Sequence, residues 1–125
     1  MPRRSLRWHG ERVPLTIADY DPEEGWVTIV TQAIGVSTRK IVALEEGESL
    51  IDFAGPLGRP SDFVKEPIEE LRKRRFLFVA GGVGTAPVYP QVKWLSEQGV
   101  ECEVIIGAKT KDMLIMLKRN GIPML

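Results

Sequence analysis

Cysteine and histidine are nearly missing from these 125 residues, each occurring once. A lone Cys102 allows no internal disulfide, and no multi-thiolate metal site built from this chain alone. His9 has no acid or nucleophile within sequence reach, so it reads as a surface residue and not as a catalytic base. No surplus of either charge exists: basic and acidic residues number 17 each. Electrostatics therefore gives no reason to propose nucleic acid or an acidic membrane as partner. Apolar runs stay far short of a membrane span. No apolar stretch follows Met1-Pro2-Arg3-Arg4, so no signal peptide is expected and the cytoplasm is the default location. Paired carboxylates and a Ser-His-Asp arrangement are lacking as well.

What is present is 43% hydrophobic and 27% charged residues, the balance of a globular chain that makes one ordinary domain or two incomplete ones. "VPLTIA" (13–18) and "WVTIVTQ" (26–32) read as strands joined by the turn-rich "DYDPEEG" (19–25). "GVSTRKIVALEEGE" (35–48) reads as a turn and one short helix, and "SLIDFAGPLG" (49–58) as a strand ending in a turn. Turn signals every 8–12 residues or so give the rhythm of a small β-barrel. The character changes at "SDFVKEPIEELRKRRF" (61–76), which is charged and polar. The boundary is placed there, giving a partial barrel over 1–65 and a partial α/β domain over 66–125. In the second part the expected order is a strand at 76–80, a glycine turn, a helix ending at Gly99 and a strand at 100–106. Pro90 is expected to push regular helix further on. "KTKDMLIMLKRNG" (109–121) reads as another helix.

Gly81, Gly82 and Gly84 stand where a strand must turn sharply into a helix. Glycine permits positive φ and removes the β-carbon that would keep a phosphate off the backbone, and the helix start offers free N–H groups. Thr85 is placed to add a hydroxyl donor. A plain strand-to-helix turn that binds nothing is the alternative. The usual dinucleotide fingerprint also needs a carboxylate at the end of the second strand. That strand ends Ile105-Ile106-Gly107-Ala108-Lys109, and alternation sends Glu101 and Glu103 to the opposite face from Cys102 and Val104. The ordinary NAD-binding mode is thus not supported by this strand.

Taken in order, "RVPLTIADYD", "GVST", "GPLG" and "VAGGVGTAP" resemble the ferredoxin–NADP reductase family. Within it, the resemblance runs to the flavin electron-transfer subunits of dihydroorotate dehydrogenase and of NADH-dependent ferredoxin–NADP oxidoreductase (sulfide dehydrogenase), over about Glu11 to Met116. The resemblance implies an FAD-binding barrel followed by a Rossmann-like nicotinamide-binding domain, in an oxidoreductase that passes electrons between NAD(P)H, FAD and an iron–sulfur acceptor. It implies that Pro14, Leu15 and Thr16 lie beside the isoalloxazine, with the Thr16 hydroxyl offered to flavin N5 as the catalytic contact. Val30, Thr31 and Gln32 match a strand lining the same cofactor. Gly35, Ser37 and Thr38 match the turn that holds the FAD diphosphate, and Gly81, Gly82, Gly84 and Thr85 match the loop against the nicotinamide dinucleotide. The family's diphosphate arginine falls at Val13 here, and the arginine stands one earlier, at Arg12. On a regular strand Arg12 would share a side with Thr16 about 13 Å away.

The resemblance also shows what is missing. The family's first barrel strands would precede residue 11, and its later β-α units and the cysteine ligands of a 2Fe–2S cluster would follow residue 125. The chain therefore reads as a central slice, with a redox partner subunit carrying flavin or iron–sulfur centres implied. Self-association through open barrel edges is expected too. A catalytically inactive fragment that binds a nucleotide or a partner subunit is the competing reading. Trp8, Trp26 and Trp94 read as packing residues, Cys102 as a buried thiol, Lys109 as a solvated charge, and "RKRR" (72–75) as a solvated linker or docking patch.

Overall fold

The computed structural model describes residues 11–116. His9, Trp8 and the end of the helix expected over 109–121 lie outside them.

Two compact units divide the described chain, and neither is continuous in sequence. One comprises residues 11–15 and 31–59, the other 16–30 and 60–116. The second carries the regular structure. β1 (Ile17–Asp21) and β2 (Trp26–Ile29) form an antiparallel hairpin, with Ile17 opposite Ile29 and Asp21 opposite Trp26. Its turn is built by Asp21, whose carboxylate accepts the Glu23 and Glu24 N–H groups, both at 2.9 Å. Gly25 completes it at φ +75°, the left-handed region that glycine enters without penalty. The expected strand at 13–18 is thus displaced. Residues 11–16 are irregular, and the pairing extends into Tyr20 and Asp21, which the composition assigned to the turn. The regular alternation between Arg12 and Thr16 lapses with it.

α2 (Ile68–Arg72) leads into β3 (Phe76–Gly81), and after a single 3₁₀ turn over Gly82–Gly84 comes α3 (Thr85–Glu97). β4 (Cys102–Gly107) then pairs in parallel with β3, Phe76 against Cys102 through Gly81 against Gly107. The expected β-α-β order is present. Its helix, however, starts at once and takes Pro90 into its interior. The missing Pro90 N–H removes one i→i−4 bond, at Ala86, without ending the helix. The helix stops by a Schellman motif: Gly99 sits at φ +76°, its N–H bonds to Ser96 O at 3.0 Å, and Val100 N–H bonds to Leu95 O at 3.0 Å.

Leu71, Leu95 and Val100 are buried together, with Phe63, Phe76, Phe78, Trp94 and Cys102 packed around them. The Phe63 ring meets Phe76 edge-on at 5.8 Å and Trp94 at 5.9 Å. Trp94 is a packing residue, as expected, whereas Trp26, expected to pack as well, is exposed. The other face of the sheet is open: Leu77 is 58% exposed, Val79 72% and Ile105 55%. The basic run 72–75 is engaged residue by residue. Arg72 Nε donates to Gln98 O at the end of α3 (2.8 Å), Lys73 pairs with Glu70, Arg74 with Glu66, and Arg75 with Glu103.

The first unit holds α1 (Val36–Val42), the short helix read from the sequence. Residues 49–58 form no strand, and no closed barrel exists among the described residues. Ile51, Phe53 and Leu57 are exposed, and no strand pairs with 49–58 among the described residues. After β4, the described part of the helix expected over 109–121, residues 109–116, holds a 3₁₀ turn over Lys111–Met113 and no α-helix.

Candidate functional site

In the first unit an open groove of about 560 Å³ is lined by residues 11–14 and 34–38, a volume in the range of small-ligand sites. It brings together Arg12, Pro14, Gly35, Ser37 and Thr38, five of the residues singled out in the sequence. The polar side chains among them, Arg12, Ser37 and Thr38, are already engaged. Thr38 Oγ1 accepts the Ile34 and Gly35 N–H groups (3.0 and 2.9 Å) and donates to Gly35 O (3.2 Å), which makes it a helix cap. The Ser37 hydroxyl donates to the Glu11 carboxylate. Arg12 pairs with Asp52 at 3.1 Å, with both side chains largely exposed. An exposed pair of this kind contributes little stability, so Arg12 is free to exchange partners at small cost. The Glu11 carboxylate is the one feature of the groove that opposes an anion.

Thr31 and Gln32 also belong to the first unit. Gln32 is exposed, and the Thr31 hydroxyl is buried without a hydrogen-bond partner among the described residues. Leu15 is half-buried. Val30 and Thr16 belong to the second unit. Thr16, immediately before β1, is exposed to solvent.

The glycine turn of the second unit has a different character. Gly82 stands at φ +55° and needs glycine for its backbone. Gly81 and Gly84 do not: their φ values are −126° and −63°. A β-carbon added at any of the three would meet nothing within 4 Å. Neither conformation nor the chain's own packing therefore accounts for glycine at 81 and 84. Backbone left bare toward open space is what close approach by a ligand requires. Thr85 departs from expectation, because it is fully buried and its hydroxyl finds no partner among the described residues. It lies beneath the turn and presents no donor at the surface. Glu101 and Glu103 are exposed, opposite Cys102 and Val104, as alternation required. Burial pushes the Cys102 thiol above its ordinary pKa, in keeping with a packing residue.

One group on α3 carries no signal in the sequence. Lys93 Nζ donates to Asp19 Oδ1 at 3.0 Å and to Tyr20 O at 2.6 Å. The partners are over seventy residues apart, and Asp19 reads locally as a turn residue.

No protein-family model matches the chain. It is 60% identical over 106 residues, 85% of its length, to an uncharacterized protein in the adh 3′ region of Clostridium beijerinckii. It is 44% identical over 114 residues, 90% of its length, to the dihydroorotate dehydrogenase B (NAD(+)) electron transfer subunit homolog of Thermotoga maritima. Among solved structures it is similar to the NADH-dependent reduced ferredoxin-NADP oxidoreductase investigated for flavin-based electron bifurcation, at 41% identity and a TM-score of 0.72. That likeness covers 88% of this chain and 38% of the other. The chain spans 36% and 38% of the length of the two curated relatives.

Proposed function

The chain is a homologue of dihydroorotate dehydrogenase B electron transfer subunits, and from that premise we propose that it is a flavin-dependent electron-transfer module working between NAD(P)H, FAD and an iron–sulfur acceptor. The observation that carries the reading is the bare backbone at Gly81 and Gly84, glycines that the chain's own geometry does not need. Backbone N–H groups there, at the start of a 13-residue helix, suit the diphosphate of a nicotinamide dinucleotide. The groove of the first unit suits the FAD diphosphate. Arg12 would supply charge, and Ser37 and the N–H groups of the first turn of α1 would supply donors once Glu11 turns away.

When bound, the flavin supplies the exchange between hydride and single-electron transfer. Thr16 would offer it a neutral hydroxyl, able to donate or accept without adding charge. Pro14, Leu15, Val30, Thr31 and Gln32 would complete that contact. In this proposal Thr85 supports the turn from below and does not touch the nucleotide. A partner subunit carrying the iron–sulfur centre, and a cytoplasmic location, belong to the same proposal. None of the helices in the described residues is long and apolar enough to cross a membrane.

A second reading has one observation in its favour: among the described residues, the first unit contains no buried one. On that reading the chain binds a nucleotide or a partner subunit and catalyses nothing. Calorimetric titration of the full chain with FAD and with NADH separates the two. Binding of both, with Arg12→Ala weakening FAD alone and Gly84→Val weakening NADH alone, is the expected result. NADH binding with no FAD binding leaves the second reading, and binding of neither overturns both.

A further inference from the structure

The hairpin β1–β2 is joined to α3 by a contact that ordinary packing does not explain. Ala18 and Asp19 are adjacent on β1 and both buried, at 0% and 6% exposure. Strict alternation would turn one of them outward. The register of β1 on β2 is irregular between Ile17 and Asp19, and an irregularity of this type re-aims a side chain. It leaves the Asp19 carboxylate buried, where it accepts the Tyr20 N–H at 2.8 Å and the Lys93 ammonium at 3.0 Å. Lys93 gives a second hydrogen bond to Tyr20 O at 2.6 Å and stands 4.5 Å above the Tyr20 ring.

A pair this sheltered, with side chains 23% and 8% exposed, is a poor way to gain stability, since apolar residues of similar size commonly serve as well or better. What it provides is direction. Three contacts from one ammonium fix both the rotation and the axial position of the hairpin on the helix, whereas an apolar patch would tolerate sliding. The hydrogen bond with Asp19 also raises the pKa of Lys93, so the ammonium stays charged at neutral pH.

The two ends of this clamp lead to the two halves of the proposed chemistry. Three residues before Asp19 stands Thr16, roughly 10 Å along an extended chain. Eight residues before Lys93 stands Thr85, about 12 Å down the helix, next to the glycine turn. We infer that Lys93 is a positioning residue: through Asp19 and Tyr20 it holds the segment bearing Thr16 at a fixed offset from Gly81–Gly84. The inference rests on the function proposed above. It adds that the hydroxyl facing the flavin and the turn facing the nicotinamide are carried by one body.

The test uses the full chain with FAD, as wild type, Lys93→Met, Lys93→Arg and Asp19→Asn. Amide hydrogen exchange is followed together with the KM and kcat of NADH-dependent reduction of ferricyanide. In Lys93→Met, exchange over residues 17–21 should rise at least about tenfold while residues 76–81 keep their protection, which shows that the fold is intact. KM for NADH should stay within about twofold while kcat falls about tenfold or more, the pattern of misplaced reactants. Lys93→Arg should recover part of both effects, and Asp19→Asn should show both in weaker form. Unchanged exchange in Lys93→Met, or raised exchange with unchanged kcat, overturns the inference and leaves the proposed function standing. No uptake of FAD by the wild type overturns the proposed function, and this inference with it.

Discussion

Leu95 is fully buried and Leu57 is 83% exposed, and the contrast extends to the units that hold them. Every buried residue among the described residues lies in 16–30 or 60–116, and none lies in 11–15 or 31–59. Both units carry a candidate nucleotide site, yet only one site rests on a packed core. In the second unit the glycine turn grows directly from β3 into α3, and Leu95 and Phe78 anchor those elements from below. In the first unit the donors of the groove are held by hydrogen bonds and an ion pair among exposed and half-buried groups, with no buried residue beneath them among the described residues. On the proposed function, a site resting on a core and a site without one would be joined in one chain, and each should respond differently to mutation.

The largest effect belongs to the core. Leu95→Ala should lower the unfolding free energy of the full chain by about 2–5 kcal/mol in urea titration, and a loss below 1 kcal/mol would dissolve the contrast between the units. Gly99→Ala comes next. It forces an ordinary residue into φ +76°, while its β-carbon would make only ordinary contact with Arg72 Nε at 3.6 Å, so about 1–2 kcal/mol should be lost through the backbone conformation.

Alkaline pH acts on the clamp. Hydrogen bonding to Asp19 raises Lys93 from its ordinary 10.5, and burial, followed by the charge of Glu97, raises Tyr20 from 10.0. For both groups the folded state keeps protons that the unfolded chain has already lost. The associated stability is present below these ordinary values and disappears as pH rises through the folded ones. Denaturation at neutral pH and above 10.5 should show wild type and Lys93→Met converging at the alkaline end.

Thr85→Val removes a buried hydroxyl that has no partner among the described residues and keeps the volume, so it should be neutral or slightly stabilising. A clear loss of stability would mean that the hydroxyl is bonded after all. Smallest of all, Leu57→Ser in the first unit should change stability by no more than about 0.5 kcal/mol.

The sequence disclosed the regions with local signatures. The glycine turn, the parallel strands around α3, the short helix at 36–42 and the Asp-Pro-Gly hairpin turn all follow from residues close together in the chain. The resemblance to ferredoxin–NADP reductases and to electron transfer subunits of dihydroorotate dehydrogenase agrees with the relatives found. The strand expected at 13–18 starts only at Ile17, where pairing with β2 begins, and the strand expected at 49–58 does not form. An apolar run shows that a segment can be buried, but only a neighbouring strand makes it a strand, and no partner for 49–58 is present among the described residues. Pro90 misled because a helix held by tertiary packing tolerates one lost hydrogen bond. Thr85 sits where a donor would be sought, yet the helix rotation that buries it depends on packing and not on the motif. The Lys93–Asp19 contact was invisible because nothing local announces a pairing across more than seventy residues.

The central claim is that one chain holds FAD and NAD(P)H and lets them react. Anaerobic spectrophotometry of the purified full chain after incubation with FAD and desalting tests it directly. The account predicts a retained oxidised-flavin spectrum that bleaches on addition of NADH or NADPH. A colourless protein, or bound flavin that neither nucleotide bleaches, would contradict it.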